Sequence, residues 1–543
     1  MLVQGTEERP IAPDQSIPGA PHLDMNRDEM LVRLSDASHA WDIIVIGGGA
    51  TGLGTALDAA SRGLRTLLLE QGDFARGTSS RSTKLIHGGV RYLQQGNVGL
   101  VLEALRERGL LTKNAPHLVT PLAFIVPNYT WWEAPFYGIG LKLYDTLAGN
   151  LGLGPSQHLT REETLARLPT LEPDGLRGGI IYYDGQFDDA RLAITLAQTA
   201  VDCGATVLNY LDVTSLLKRD GLVRGVVARD LETGREHELE AGVVINATGV
   251  FTDGIRRMDD PSATSIIAPS QGIHIVLEKS FLPGESAIMV PRTDDGRVLF
   301  AIPWHDRVLI GTTETPVSEP QVEPRPLNEE IDFLLTHAAR YLTKDPRRED
   351  VLSTFAGLRP LIKTEKSRDS ALVPRDHSVF VSKSGLITIT GGKWTIYRKM
   401  AADAVDQALV VGAFSEGPSQ TSDLRLHGWT DTAERASHWS VYGSNAPDLH
   451  RLVEQHPAWG QPLHPNLPYT GAEVVWAVRH EMARTVEDAL SRRTRALLLD
   501  ARASMEAAPA TASLMATELR RDQNWIDLQV GAYRELAQGY LPR

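Results

Sequence analysis

Cysteine is almost missing from this 543-residue chain, in which Cys203 stands alone. That excludes an internal disulfide framework and any zinc cluster built on cysteine, and it fits a reducing compartment. Long hydrophobic runs are missing too. No stretch of about eighteen uncharged apolar residues occurs, so any membrane association is expected to be peripheral. An excess of positive charge is likewise absent. The formal net charge of −13 at pH 7 argues against a general nucleic-acid binder, which carries a basic field. Residues 1–40 have no apolar core of signal-peptide length and place Glu7, Glu8, Pro10, Pro13, Pro18 and Pro21 early. They are expected to form a flexible extension.

What is present is an ordinary globular composition, 42% hydrophobic and 23% charged, with a mean hydropathy of −0.18. The length suggests about three to four domain-sized units and leaves room for a sizeable core. There is no internal repeat and no low-complexity tract.

Residues 42–46 (DIIVI) read as a buried parallel strand that runs straight into Gly47-Gly48-Gly49-Ala50-Thr51-Gly52. A helix through Arg62 and a second strand over 64–69, ending at Glu70, complete a unit of about thirty residues, the size of a βαβ motif. Gly47, Gly49 and Gly52 permit a tight turn, close backbone approach to a pyrophosphate, and tight helix packing. Glu70, 18 residues beyond Gly52, stands where a carboxylate binds a ribose 2′-hydroxyl. It would repel a 2′-phosphate, which favours FAD or NAD over NADP.

Amphipathic spacing predicts a helix over 97–113, and helical character returns at 189–203, 327–342 and 393–411. Strands are expected at 223–228, 242–247 and 386–390. Between 269 and 313 short strands and turns (HIVL, AIMV, RVLFAIP, RVLIGT) predict an antiparallel sheet on the substrate side. Beyond Gly417 the chain is helix-rich. Residues 129–144 hold six aromatics in sixteen and read either as domain core or as a lipid-interface insertion. Lys142 is the one basic residue there, so attraction to anionic lipid is weak.

The segment 78–93, TSSRSTKLIHGGVRYL, concentrates Arg81, Lys84, His87 and Arg91 in an acidic chain. Residues 386–397, LITITGGKWTIY, deliver Gly391-Gly392 to a helix beginning near Lys393, whose free amides and positive dipole end favour negative charge. Alone, that pattern is equally an ordinary strand-turn-helix. His274, Arg359, Arg375 and Lys393 are each unremarkable unless a fold brings them together.

In order along the chain, GGGATG, TSSRSTKLIHGGVRYL, FDDARL (187–192), NATG, GLRP and TGGKWTIYRK make the sequence resemble the FAD-dependent, respiratory glycerol-3-phosphate dehydrogenase family from about Trp41 to the end. The block around residue 80 is the most specific. The resemblance implies an α/β + α fold with a discontinuous Rossmann-like FAD-binding domain (41–122, 189–260 and 356–416), similar to that of D-amino-acid oxidase and glutathione reductase. It further implies an antiparallel-sheet cap or substrate domain (123–188 and 261–355) and a helical C-terminal domain (417–543). The implied reaction oxidises sn-glycerol 3-phosphate to dihydroxyacetone phosphate. Electrons then pass from FADH2 to membrane quinone, at the cytoplasmic face of the inner or plasma membrane.

Carried over by motif, Gly47, Gly49, Gly52 and Glu70 would hold the ADP half of FAD, with Thr51 where many relatives carry Asn. Thr78, Ser79, Ser80, Thr83 and Lys84 would line the path toward the flavin, and Gly88 with Gly89 would pass close to its ring. His87 either touches the flavin or caps the turn. Gly249 and the turn Gly391, Gly392, Lys393 and Thr395 would bracket the other half of the cofactor. Arg91, Tyr92, His274, Arg359, Lys393 and Arg375 resemble the polar residues around the substrate. A phosphomonoester carries nearly two negative charges, which Arg binds as a fork and Lys as a point charge. Loss of the C2 hydroxyl proton needs a base, read as His274 with Arg359 beside the C2 oxygen, and Lys393 is the alternative. The rival readings are an oxidase using oxygen, an amine or hydroxy-acid oxidase on the same fold, and a flavin-binding sensor without turnover. A homodimer is compatible with the sequence.

Overall fold

The computed structural model describes residues 25–34, 40–89, 97–130, 133–294, 296–363, 377–415, 417–432 and 437–542, with 133–137 and 139 by backbone alone. Two sheets, each assembled from distant parts of the chain, carry the architecture.

The run Trp41–Ile46 lies inside an eight-stranded sheet whose main path is His377–Val381, Ile387–Gly391, Glu236–Asn246, Trp41–Ile46, Thr66–Leu69 and Thr206–Leu208. The four pairings from Ile387–Gly391 to Thr206–Leu208 are parallel. Such strands are buried on both faces, which is why Ile43, Ile44 and Val45 follow one another without polar alternation. Glu236–Asn246 serves three partners, Ile387–Gly391 among them. Its first half pairs antiparallel with Leu222–Asp230, and from Ala241 onward it runs parallel to Trp41–Ile46.

The helix Ala50–Ser61 follows the glycine turn and packs directly on it, since a Cβ at Gly52 would lie 1.8 Å from the Gly47 carbonyl oxygen. The helices expected at 97–113 and 189–203 are Val98–Asn114 and Asp189–Asp202. Each starts after a polar cap: Asn97 accepts from the Leu100 amide at 3.2 Å and Asp188 from the Arg191 amide at 3.0 Å. The helix expected at 393–411 opens with a 3-10 turn, Trp394–Ile396, before Tyr397–Gly412, and Lys393 stays extended.

The second sheet has ten strands. It is antiparallel as expected, with one exception: Ala287–Val290 runs parallel to Val119–Asn128, where strands from two separate stretches of chain meet and no hairpin dictates direction. Val351–Ile362 pairs with Ile267–Glu278 along nearly its whole length. Gly357 and Pro360 inside it weaken its strand signature, so its pattern did not announce it. The helices Gly471–His480, Ala501–Leu519 and Gln523–Gln538 share a core with this sheet, Val474, Met515 and Tyr533 lying in one cluster with Phe124, Trp304 and Phe355. Each fully buried side chain of this size contributes about 1.5–3 kcal/mol relative to exposure.

In the aromatic stretch 129–144, Leu141 and Tyr144 are buried. Tyr144 donates to Asp184 and accepts from the Gly88 amide, so it belongs to the core. Trp131 and Trp132 lie outside the described residues. Among the described residues no helix is long and apolar enough to cross a membrane.

Candidate active site

Two adjoining cavities share Thr78, Pro360, Gly391, Gly392, Lys393 and Trp394 in their walls. The larger holds ≈ 650 Å³ and has Gly47, Gly49, Thr51, Glu70, Ser79 and Gly249 along its length. That volume falls within the ~300–1,000 Å³ of ligand and cofactor sites. Gly47 adopts φ 111°, and a Cβ on it would meet the Ala247 carbonyl at 2.8 Å, so bare backbone lines the turn. Gly49 leaves the helix N-terminus without a side-chain cap. The Ala50 amide donates to Ser79 Oγ at 2.9 Å, which ties the 78–84 loop to that turn. Glu70 accepts from the amides of Gly48 at 2.6 Å and Gly72 at 2.8 Å. Burial raises its pKa and the two amides oppose the rise. A helix N-terminus with glycine at its cap suits a pyrophosphate and a carboxylate at a strand end suits a ribose, so these residues fit FAD.

The smaller cavity, ≈ 190 Å³, gathers Arg81, Thr83, His87, His274, Arg359, Lys393 and Thr395. His274 projects from Ile267–Glu278 and is buried, with its ring stacked on Phe355 at 4.9 Å. Its Nε2 lies 2.9 Å from Thr83 Oγ1, and its Nδ1 has no hydrogen-bond partner among the described residues. Burial, then Lys84, then Arg359 hold its pKa well below the ordinary imidazole value, so it is neutral at pH 7. Arg359 comes from Val351–Ile362, and its guanidinium donates to the carbonyl of Thr313 at 3.2 Å and to Thr312 Oγ1 at 3.2 Å. Glycines open the space for both: a Cβ at Gly272 would fall 2.4 Å from Arg359 Nη2, and one at Gly311 would fall 2.1 Å from His274 Cδ2.

The turn 391–395 clamps the loop that crosses between the cavities. Trp394 Nε1 donates to the Ser79 carbonyl at 2.9 Å, and Thr395 Oγ1 accepts from the His87 amide at 3.2 Å.

Some expected residues sit elsewhere. Lys84, expected along the path to the flavin, lines neither cavity; it is fully buried with Nζ on Asp189 at 2.7 Å and on the Ser80 carbonyl at 2.9 Å. Ser80 is buried behind the loop for the same reason. Gly88 is packed against Tyr144 and Leu105 rather than facing a cavity, and a Cβ there would meet the Tyr144 hydroxyl at 2.6 Å. Gly52 serves helix packing. Arg91, Tyr92 and Arg375 lie outside the described residues. Arg81, given no role by its motif, lines the smaller cavity, and Trp394, within the 391–395 turn expected at the cofactor, lines both. Their signal was position, Arg81 inside the basic segment and Trp394 directly after the Gly391-Gly392 pair.

Comparison with known proteins bears on this geometry. A family described as FAD dependent oxidoreductase matches residues 42–398, and the C-terminal domain of alpha-glycerophosphate oxidase matches 385–525. The chain is 43% identical to the mitochondrial glycerol-3-phosphate dehydrogenase of Homo sapiens, over 95% of this chain and 75% of that protein. The solved glycerol-3-phosphate dehydrogenase of Bacillus halodurans, complexed with FAD, superposes with a TM-score of 0.78 at 31% identity, covering 96% of this chain and 99% of that one. Glycine oxidase of Geobacillus kaustophilus, at 21% identity and a TM-score of 0.51 over 71% of this chain and 98% of its own, shares the fold. With motifs, fold and cavity walls in agreement over nearly the whole length, the chain belongs to the FAD-dependent glycerol-3-phosphate dehydrogenase family.

Proposed function

We propose that this protein oxidises sn-glycerol 3-phosphate to dihydroxyacetone phosphate and passes the electrons to membrane quinone. The observation that carries the reading is the convergence of Arg81, Arg359, Lys393 and a neutral His274 on one small cavity that adjoins the glycine-turn cavity. An acidic protein attracts a dianion only where its surface is locally positive, and this pocket concentrates that charge. Bound FAD supplies the two-electron acceptor for the hydrogen leaving C2. His274 takes the C2 hydroxyl proton, and Arg359 stabilises the charge that develops on that oxygen. Lys393, at the junction of the two cavities, is the alternative base. The walls around the glycine turn hold the cofactor through Gly47, Gly49, Thr51 and Glu70, with Thr78, Ser79 and Gly249 further along.

Anaerobic addition of glycerol 3-phosphate to the purified yellow protein tests the reaction: the flavin absorbance near the visible maximum bleaches. Bleaching only with amino or hydroxy acids would favour an oxidase of those substrates, and no bleaching with any of them would favour a sensor. One observation favours oxygen as a second acceptor, the match of residues 385–525 to an oxidase C-terminal domain. Turnover with a water-soluble quinone in excess of hydrogen peroxide production separates the two. The same reading puts the protein peripherally on the cytoplasmic face of an inner or plasma membrane, and among the described residues no helix is long and apolar enough to cross one. Flotation with liposomes reads that placement, and failure to float opposes it.

A further inference from the structure

We infer that Arg495, in the C-terminal helical unit, is a positioning residue for His274, acting through Asp189 and the loop that carries Thr83. The inference rests on the reading of His274 as the substrate-facing base. Arg495 is buried and precedes the short helix Ala496–Leu499 in a left-handed conformation, φ 67°. Its Nη2 donates to the Ser80 carbonyl at 2.7 Å and to Asp189 Oδ1 at 3.0 Å. The same Ser80 carbonyl also accepts from Lys84 Nζ, so two cations from different parts of the chain hold one peptide from behind.

Asp189 is the hub. Its Oδ2 accepts from the Ser82 amide at 2.9 Å, from Ser82 Oγ at 2.7 Å and from Lys84 Nζ at 2.7 Å, while Oδ1 accepts from the Ala190 amide and Arg495. Residues 80, 82 and 84 are thereby tied to Asp189 and Arg495. Thr83, between them, reaches His274 Nε2 at 2.9 Å. Lys84 Nζ lies 5.1 Å from the ring of Phe355, the ring on which His274 stacks. Every contact in the chain from Arg495 to His274 is thus a hydrogen bond or ion pair between buried or half-buried groups, where a small shift of the loop has no solvent to absorb it.

A double-mutant cycle on the full-length holoenzyme tests this. Arg495→Lys keeps the charge but shortens the side chain and loses the planar fork that spans the Ser491 carbonyl on one nitrogen and Ser80 with Asp189 on the other; Thr83→Val removes the hydroxyl at His274. Each should slow flavin reduction by glycerol 3-phosphate roughly 10- to 100-fold, as a misplaced base does, with FAD content and KM within about twofold. If Arg495 acts through Thr83, the double variant is slowed no more than about twofold beyond the worse single one. Losses that multiply, or an unchanged rate in Arg495→Lys, overturn the inference. Should Arg495→Lys not fold, Asp189→Asn takes its place in the same cycle, and multiplying losses there overturn it equally. Wild-type flavin that glycerol 3-phosphate does not bleach would instead refute the proposed reaction, a separate result.

Discussion

Gly311 stands directly across the sheet from His274, and this pair shows how much of the chemistry is set by the size of one side chain. Gly311→Ala places a methyl against the imidazole and forces the ring off Phe355. Flavin reduction should fall at least 10-fold while FAD stays bound, read by stopped flow beside the absorbance of the purified protein. His274→Asn removes the base itself. The expected loss is about 10²- to 10⁴-fold in the reduction rate with little change in KM, and an unchanged rate would take His274 out of the reaction. Because burial and two neighbouring cations depress the His274 pKa, the acid limb of the rate profile should lie below the ~6.5 of a free imidazole. An acid limb at or above that value would contradict the assignment. The motifs made His274, Arg359 and Lys393 candidates, but nothing in their spacing said that Gly311 and Gly272 would clear space for the first two. Those contacts depend on strand register, which is a property of two segments and not of either one.

At the scale of elements, the glycine turn and the helix after it were legible because their signals are local: an apolar run, three glycines and an acid at a strand end. The Asp189–Asp202 helix was legible through periodicity, with Asp188 as its cap. Val351–Ile362 was hidden because its Gly and Pro contradict strand propensity, and what holds it is a long ladder with Ile267–Glu278. Lys84 was misplaced for a related reason, since a lysine beside a cofactor motif looks like a ligand until its carboxylate partner arrives from residue 189. Gly52→Ala tests the element contact. With only 1.8 Å to the Gly47 carbonyl, the helix must move away from the strand, and the protein should purify largely without FAD and lose about 1–3 kcal/mol of stability. Retention of stoichiometric flavin in that variant would mean the turn tolerates the shift.

For the molecule as a whole, buried ion pairs mark the joint between the C-terminal helices and residues 73 and 191 of the parallel-sheet unit. Asp73 meets Arg493 at 2.6 Å on Nη1 and at 2.8 Å on Nη2, and is also bonded to Arg492; Glu481 is held by Arg191, with Arg191 Nη2 at 2.9 Å. Breaking such a buried pair by removing one partner costs about 3–5 kcal/mol, because the other charge is left uncompensated. A titrating group sits at the same joint. His117 is buried, and burial first, then the neighbouring His427, push its pKa down to about 4. The unfolded chain therefore binds a proton on His117 at higher pH than the folded chain does. Its effect on stability is nil above the unfolded value of ~6.5, and it destabilises progressively as pH falls from there toward 4, by on the order of 3 kcal/mol at the lower end. His117→Gln should flatten the decline of the melting temperature over that window while leaving the value at pH 8 nearly unchanged. An equally steep decline in the variant would assign the acid sensitivity to other groups.

One contact near the end of the chain bears on how the protein is made. The carbonyl of Tyr540 accepts from the Thr354 amide at 2.7 Å, on the strand that carries Arg359, and the Tyr540 hydroxyl donates at 2.7 Å to Glu323, the carboxylate that pairs with Arg81. The ribosome releases the glycine turn long before Tyr540. A nascent chain therefore carries the beginnings of its nucleotide cradle for several hundred residues while the wall opposite still lacks this fastening. Loading with flavin before Tyr540 emerges would have to proceed on a pocket that still lacks this fastening.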